Sequence, residues 1–215
     1  NEPSRLSRTL YSRCTEKNGK EIVMDGTTRE IIVRMQQGDE DAFSRLFRMY
    51  SGRVLRMAYL ISGNYADSED IVQETFVKCF TYRARLKDPD KFEPWLYQIM
   101  TRTAWRVAGK SRREQPSEEI GRIQDEMAGE FSSPLENVLS SEERERLWRA
   151  VESLEIRQRT AVVLYYYNQM STREIAKAMG CLEGTVKSRL FTARRNLRKL
   201  LDEGEKEALY EKRTV

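Results

Sequence analysis

The residues with the clearest chemical purpose lie between Gly184 and Arg195. At ~100° per residue on a helix, Gly184, Ser188, Phe191, Thr192 and Arg195 share one face, with Lys187 and Arg194 on its flanks. Val186, Leu190, Ala193 and Leu197 step by four, three and four on the opposite side and mark a buried face. Cations suit phosphates, hydroxyls suit base edges, and an outward aromatic suits a thymine methyl, which is what a helix in a DNA major groove must offer. The competing reading is an ordinary basic helix hairpin with one exposed aromatic. A second group, Asp70, Gln73 and Glu74, forms an acidic, hydrogen-bonding face opposite the apolar stripe Val72, Phe76, Cys79 and Phe80. Such a face fits an Arg-rich partner helix through charge-assisted contacts, although taken alone a solvated acidic face is the better explanation. A third group, Arg102, Arg106, Lys110 and Arg113, recurs at four, four and three. It prolongs an apolar face and predicts a helix whose second half projects past a small core along a polyanion.

Other chemistry is disfavoured. The chain contains no histidine, so the commonest general base and metal ligand are missing. Cys14, Cys79 and Cys181 are scattered, without metal-ligand or disulfide-framework spacing. There is no Gly-rich phosphate loop and no nucleophile–base pair. The expectation is a binding protein with no catalytic residues, no metal and no cofactor.

The elements that must position these groups are helical throughout. Ile31, Ile32 and Met35 mark a short helix that stops at Gly38, and Asp39–Asp41 opens the next with negative charge at its N-terminus. In that second helix Phe43, Leu46, Phe47, Tyr50, Val54 and Leu55 recur at three and four. Asp67 is a candidate cap for a third helix. Leu86–Lys91 is a turn-rich loop, and a fourth helix runs from about Phe92 to Arg113, opened by Pro94 in its first turn. Ser171 and Glu174 form a capping box for a short helix ending at Gly180, and another helix runs from about Glu183 to Leu201.

Of 215 residues, 39% are hydrophobic and 33% charged, which suits two small, surface-rich cores. The net charge of +4 conceals a pattern: residues 24–113 carry +4, residues 114–145 carry −8, and residues 146–200 carry +8. Two basic bodies flanking an acidic connector suggest polyanion binding. The expected organisation is all-α: a poorly structured extension at 1–23, a helical domain at 24–113, a flexible acidic linker at 114–139 with Ile120–Met127 transiently helical, a helix-turn-helix domain at 140–203 and a tail at 204–215. Met24 is expected near the functional start. No apolar run approaches the ~20 residues that span a bilayer, and no signal peptide is visible, so a cytoplasmic location is expected.

The stretch Gly180…Glu183-Gly-Thr-Val-Lys-Ser-Arg-Leu-Phe-Thr-Ala-Arg194 closely resembles the promoter −35 reading module of bacterial sigma factors, particularly the extracytoplasmic-function group. Leu154, Arg159, Ala161–Leu164, Ser171 and Glu174–Ala176 match as well. Asp67-Ser-Glu-Asp-Ile-Val-Gln-Glu-Thr-Phe76 resembles that family's core-polymerase binding helix, and Phe92-Glu-Pro-Trp-Leu-Tyr-Gln-Ile99 resembles the element opening its −10 helix.

The resemblance implies a subunit that carries RNA polymerase to promoters and helps melt them. Asp70, Gln73 and Glu74 would meet the clamp coiled coil of the largest polymerase subunit, with a further contact at the polymerase flap region. Lys187, Ser188 and Phe191 would touch −35 DNA, joined by Arg173, Arg194 and Arg195. Arg102, Arg106, Lys110 and Arg113 would lie on −10 DNA, and Lys87, Asp88 and Lys91 are the candidates for reading an extruded base. Relatives usually carry Asn at the Arg102 position, often Asp at that of Arg106, and many carry a basic residue at that of Thr192. An anti-sigma factor is an expected partner and membrane insertion is not. The alternative is a stand-alone helix-turn-helix regulator, which leaves residues 67–76 and 92–99 unexplained.

Overall fold

Helix α1 (Gly26–Gln36) buries Ile31, Ile32 and Met35. A computed structural model describes residues 26–114 and 141–211, and their regular structure is entirely helical. The chain leaves α1 through Gly38 at φ 94. Asp39 then caps α2 (Glu40–Ser62): its carboxylate accepts from the Ala42 N–H at 2.9 Å and pairs with Arg34 at 2.7 Å. Leu46, Tyr50, Val54, Met57 and Ile61 form the buried stripe of α2. Phe47, whose spacing predicts the same stripe, is instead 39% exposed. It lies at the rim of the core, edge-on to Phe76 with ring centroids 4.8 Å apart.

Helix α3 (Tyr65–Thr81) is capped by Asn64 rather than Asp67. The Asn64 side chain accepts from the Asp67 N–H at 2.9 Å, so Asp67 sits inside the first turn, where its charge still favours the helix N-terminus. Residues 82–91 hold two short 3-10 turns, Arg83–Arg85 and Pro89–Lys91, and the Gln36 amide donates to the Leu86 carbonyl, pinning the segment to α1. Helix α4 (Phe92–Glu114) follows, with Phe92, Leu96, Tyr97 and Met100 fully inside the core.

The second body comprises α5 (Ser141–Glu152), α6 (Ile156–Val162) with a π-helical turn at Val163–Tyr167, α7 (Thr172–Met179) and α8 (Glu183–Glu211). The capping box at Ser171 and Glu174 is formed, and Gly180 ends α7 at φ 62. Val186, Leu190, Ala193 and Leu197 are all buried. Helix α8 continues past Leu201 to Glu211; Gly204 does not break it, because its neighbours are strong helix formers. Residues 1–23 and the linker, with its Ile120–Met127 stretch, lie outside the described residues.

The second half of α4 does not project past the core, as the spacing of its cations suggested. It packs against the second body, because Thr101, Ala104, Val107 and Ala108 are all buried. Thr101 Oγ1 lies 3.0 Å from the Ala178 carbonyl, Gln98 donates to the Lys177 carbonyl at 2.9 Å, and Trp105 Nε1 donates to Thr160 Oγ1 at 3.0 Å. Tyr59 of α2 stacks on Trp148 of α5, with centroids 5.1 Å apart and planes within 4°.

Candidate docking and nucleic-acid interfaces

On α3, Asp70 and Gln73 are exposed and Glu74 is half-buried, all on the side away from Val72, Phe76 and Cys79. Val77, one turn beyond Gln73, is 64% exposed and adds an apolar contact to the acidic face. The sequence pattern passed over it, because an isolated Val between stripe positions reads as core. Glu74 is not an isolated charge: one oxygen meets Lys78 Nζ at 2.5 Å and the other meets Arg106 of α4.

The cations of α4 are arranged unequally. Arg102 is exposed beside the turn between α7 and α8, where a Cβ on Gly180 would stand 3.6 Å from its Nη2. Arg106 is exposed and tied to Glu74, and Lys110 is exposed. Arg113 lies in the last turn of α4, and its side chain is outside the described residues. Within the 86–91 segment Lys87 is exposed, whereas Asp88 has a structural task. The Asp88 carboxylate accepts from the Asp90 N–H at 3.1 Å and from Lys91 Nζ at 2.7 Å. The Lys91 ammonium holds the Asp88 carboxyl below its ordinary range, and Asp88 raises Lys91 in return. Sequence spacing also missed Tyr82 and Arg85. The Arg85 guanidinium sits 4.5 Å from the centroid of the Tyr82 ring, itself 40% exposed. An aromatic–cation pair of this kind is what unpaired bases stack on.

On α8 the geometry follows the helical wheel. Gly184, Lys187, Ser188, Phe191, Arg194 and Arg195 are exposed, Phe191 at 68%, and Thr192 is half-buried. Arg173 is exposed in the first turn of α7. Two residues prove to organise this face. Glu183 Oε1 accepts from Thr172 Oγ1 at 2.8 Å and pairs with Lys187 Nζ at 2.9 Å, which fixes the start of α8 against the start of α7. Lys187 and Thr172 together lower the Glu183 pKa. Tyr166 Oη accepts from Arg194 Nε at 2.8 Å, and the Arg194 guanidinium lies over the Tyr165 ring at 5.4 Å, so the π-helical turn aims this cation. Neither role carries a sequence signal beyond residue type. Among the described residues no group of three or more His, Cys, Asp or Glu could hold a metal ion, and no helix is long and apolar enough to cross a membrane.

The two bodies coincide with two family models. Sigma-70 region 2 matches residues 46–114, and Sigma-70, region 4 matches residues 144–197. The ECF RNA polymerase sigma-E factor of Escherichia coli strain K12 is 34% identical over 176 residues, covering 78% of this chain and 91% of its own length. The ECF RNA polymerase sigma factor SigW of Bacillus subtilis strain 168 is 28% identical over 184 residues, covering 83% of this chain and 98% of its own. Among solved structures, CnrH in complex with the cytosolic domain of CnrY has a similar fold, with TM-score 0.60, 22% identity, and coverage of 82% of this chain and 97% of that one. The sigma factor RpoE in complex with the anti-sigma factor NepR from Bartonella quintana matches at TM-score 0.57 and 24% identity, over 74% of this chain and 96% of that one.

Proposed function

Because the chain belongs to the extracytoplasmic-function group of the sigma-70 family and is a transcription initiation factor, we propose that its docking and DNA-reading tasks are divided among three surfaces. Asp70, Gln73 and Glu74 of α3, with Val77, meet the clamp helices of core RNA polymerase, and the second body meets the flap region. Arg102, Arg106, Lys110 and Arg113 of α4, with Lys87 and Lys91, lie on −10 DNA. Asp88 serves that site by holding Lys91. Lys187, Ser188, Phe191, Arg194 and Arg195 of α8 read the −35 element, with Arg173 on phosphate. The phosphodiester chemistry belongs to the polymerase.

The observation that carries this reading is Phe191, an aromatic left outside between Lys187, Ser188 and Arg195 on a helix entered through a capped α7 and a Gly180 turn. A purely solvated basic helix has no use for it. Residues 67–76 and 92–99, which the stand-alone regulator leaves unexplained, fall inside the region 2 match.

The −10 and −35 elements lie about 25 base pairs apart, or ~85 Å at ~3.4 Å per pair. With α7 packed on α4, only a few helix diameters of ~10–12 Å separate the two DNA faces. The seam between the bodies therefore opens when both elements are bound. The 26 residues from 115 to 140 reach at most ~90 Å when extended, which is sufficient. An anti-sigma factor, like the NepR bound to RpoE, would act by covering the α3 and α8 faces. Transcription from a genomic promoter library with purified core polymerase tests the whole reading: initiation at a defined promoter set only when the chain is present supports it, and no chain-dependent start site sinks it.

A further inference from the structure

We propose that Glu74 is a shared ligand that links polymerase docking to DNA contact: it holds Arg106 while polymerase is absent, and a polymerase cation that takes Glu74 frees Arg106 for a promoter phosphate. This rests on the assignments of Glu74 and Arg106 above. Both oxygens of the Glu74 carboxylate are occupied from within the chain. Oε1 lies 2.5 Å from Lys78 Nζ, one turn along α3, and Oε2 is taken by Arg106 Nη2 from α4. Lys78 also donates to Thr103 Oγ1 at 3.3 Å, and Thr103 is fully buried between the helices. Four groups thus form one connected path from the acidic face of α3 to the cationic face of α4.

The position of each group decides the direction of the effect. Lys78 is anchored by Thr103, so it stays with Glu74 whichever partner arrives. Arg106 has a side chain 54% exposed and lies on the outer surface of α4, so it is the cation that can leave. An Arg-rich helix approaching α3 competes for the same Oε2. Once displaced, the solvent-exposed Arg106 guanidinium is free to pair with a phosphate in place of the carboxylate. By linkage the coupling is reciprocal: DNA on Arg106 favours polymerase on Glu74 by the same factor. Glu74 is half-buried but Arg106 is open to solvent, so screening keeps the factor modest, roughly two- to fivefold.

The test uses the full chain without polymerase and measures binding of a short, mixed-sequence single-stranded DNA at low salt by fluorescence anisotropy. Glu74→Gln is expected to tighten binding by roughly two- to fivefold. Glu69→Gln, which removes the same charge from an exposed site on α3, controls for general electrostatics and is expected to have a smaller effect. In an Arg106→Gln background the Glu74→Gln gain is expected to vanish. A Glu74→Gln affinity equal to that of Glu69→Gln overturns the link. Holoenzyme carrying Arg106→Gln separates this failure from failure of the underlying assignment. If Arg106→Gln weakens promoter binding in holoenzyme while Glu74→Gln gives no gain in the free chain, the −10 assignment stands and the link alone falls. If Arg106→Gln leaves holoenzyme binding unchanged, the assignment falls and takes the link with it.

Discussion

Arg159 Nη1 donates at 3.2 Å to the main-chain carbonyl of Ile61, so a guanidinium of the second body closes the last turn of α2 in the first. The same side chain donates to the carbonyls of Glu152 and Leu154, and only 5% of Arg159 is exposed. One cation therefore satisfies helix ends on both bodies. Arg159→Met keeps the length and loses the donors, and should cost about 2–4 kcal/mol of stability by leaving buried carbonyls unpaired. Arg159→Lys should fail to restore it, because one ammonium cannot span three diverging acceptors. Urea denaturation checks both; a loss below about 0.5 kcal/mol for the Met variant would contradict this account.

Adjacent residues on α8 should give opposite results. Phe191 is 68% exposed and Leu190 only 2%. Phe191→Ala should leave the melting temperature unchanged and weaken −35 recognition by about 1–3 kcal/mol. Leu190→Ala should cost about 2–5 kcal/mol of stability. Thermal melts and promoter-binding titrations on both variants test the pair together, and a stable Phe191→Ala chain with unaltered promoter preference would remove Phe191 from the reading face.

Gln169 holds a φ of 56, the only positive φ among the described non-glycine residues. Its side chain donates to the Tyr166 carbonyl at 2.5 Å, which partly offsets the backbone cost. Gln169→Gly should stabilise the chain by about 0.5–1 kcal/mol, the left-handed penalty less the added freedom of the unfolded glycine. Gln169→Val should destabilise it, since a β-branched residue tolerates this region worst. A melting temperature for the Gly variant below that of the parent chain would show the side-chain bond to be the larger effect.

Alkaline stability should fall in a defined window. Burial pushes the Cys79 thiol from an ordinary 9.0 up to about 12. A pKa raised in the folded state means that the contribution is complete below about pH 9 and is lost as pH climbs toward about 12, with a slope of about 1.4 kcal/mol per pH unit. Tyr97 is shifted upward as well, mainly by burial, and adds to the loss at higher pH. Denaturation series between pH 8.5 and 11 on the parent and on Cys79→Ala check this: the Ala variant starts less stable and loses stability less steeply.

The periodic and capping signals were legible residue by residue. Val186, Leu190, Ala193 and Leu197 are buried as their spacing requires, and Ser171 and Glu174 cap as their types require. What escaped the sequence are relations between elements. Asn64 takes the cap that Asp67 also suited, because three residues further upstream the chain is still extended. Phe47 sits at a rim that a helical wheel cannot distinguish from a centre. The pairing of Glu74 with Arg106 joins positions 32 apart, each of which by itself reads as a surface charge. The packing of α4 on α7 was hidden most thoroughly, because Thr101, Ala104 and Ala108 are small enough to belong to either a buried or an exposed face.

Thr101, Gln98 and Arg159 bond across the seam to main-chain oxygens of Ala178, Lys177 and Ile61. Every residue type supplies such an oxygen. The exposed Lys177 can therefore change identity through descent without erasing its acceptor, and Ile61 and Ala178 are held only by their own burial, while positions 98, 101 and 159 each need a particular side chain for these bonds. Divergence at this boundary should be one-sided, and it would leave no compensating pairs of substitutions for a comparison of related sequences to detect.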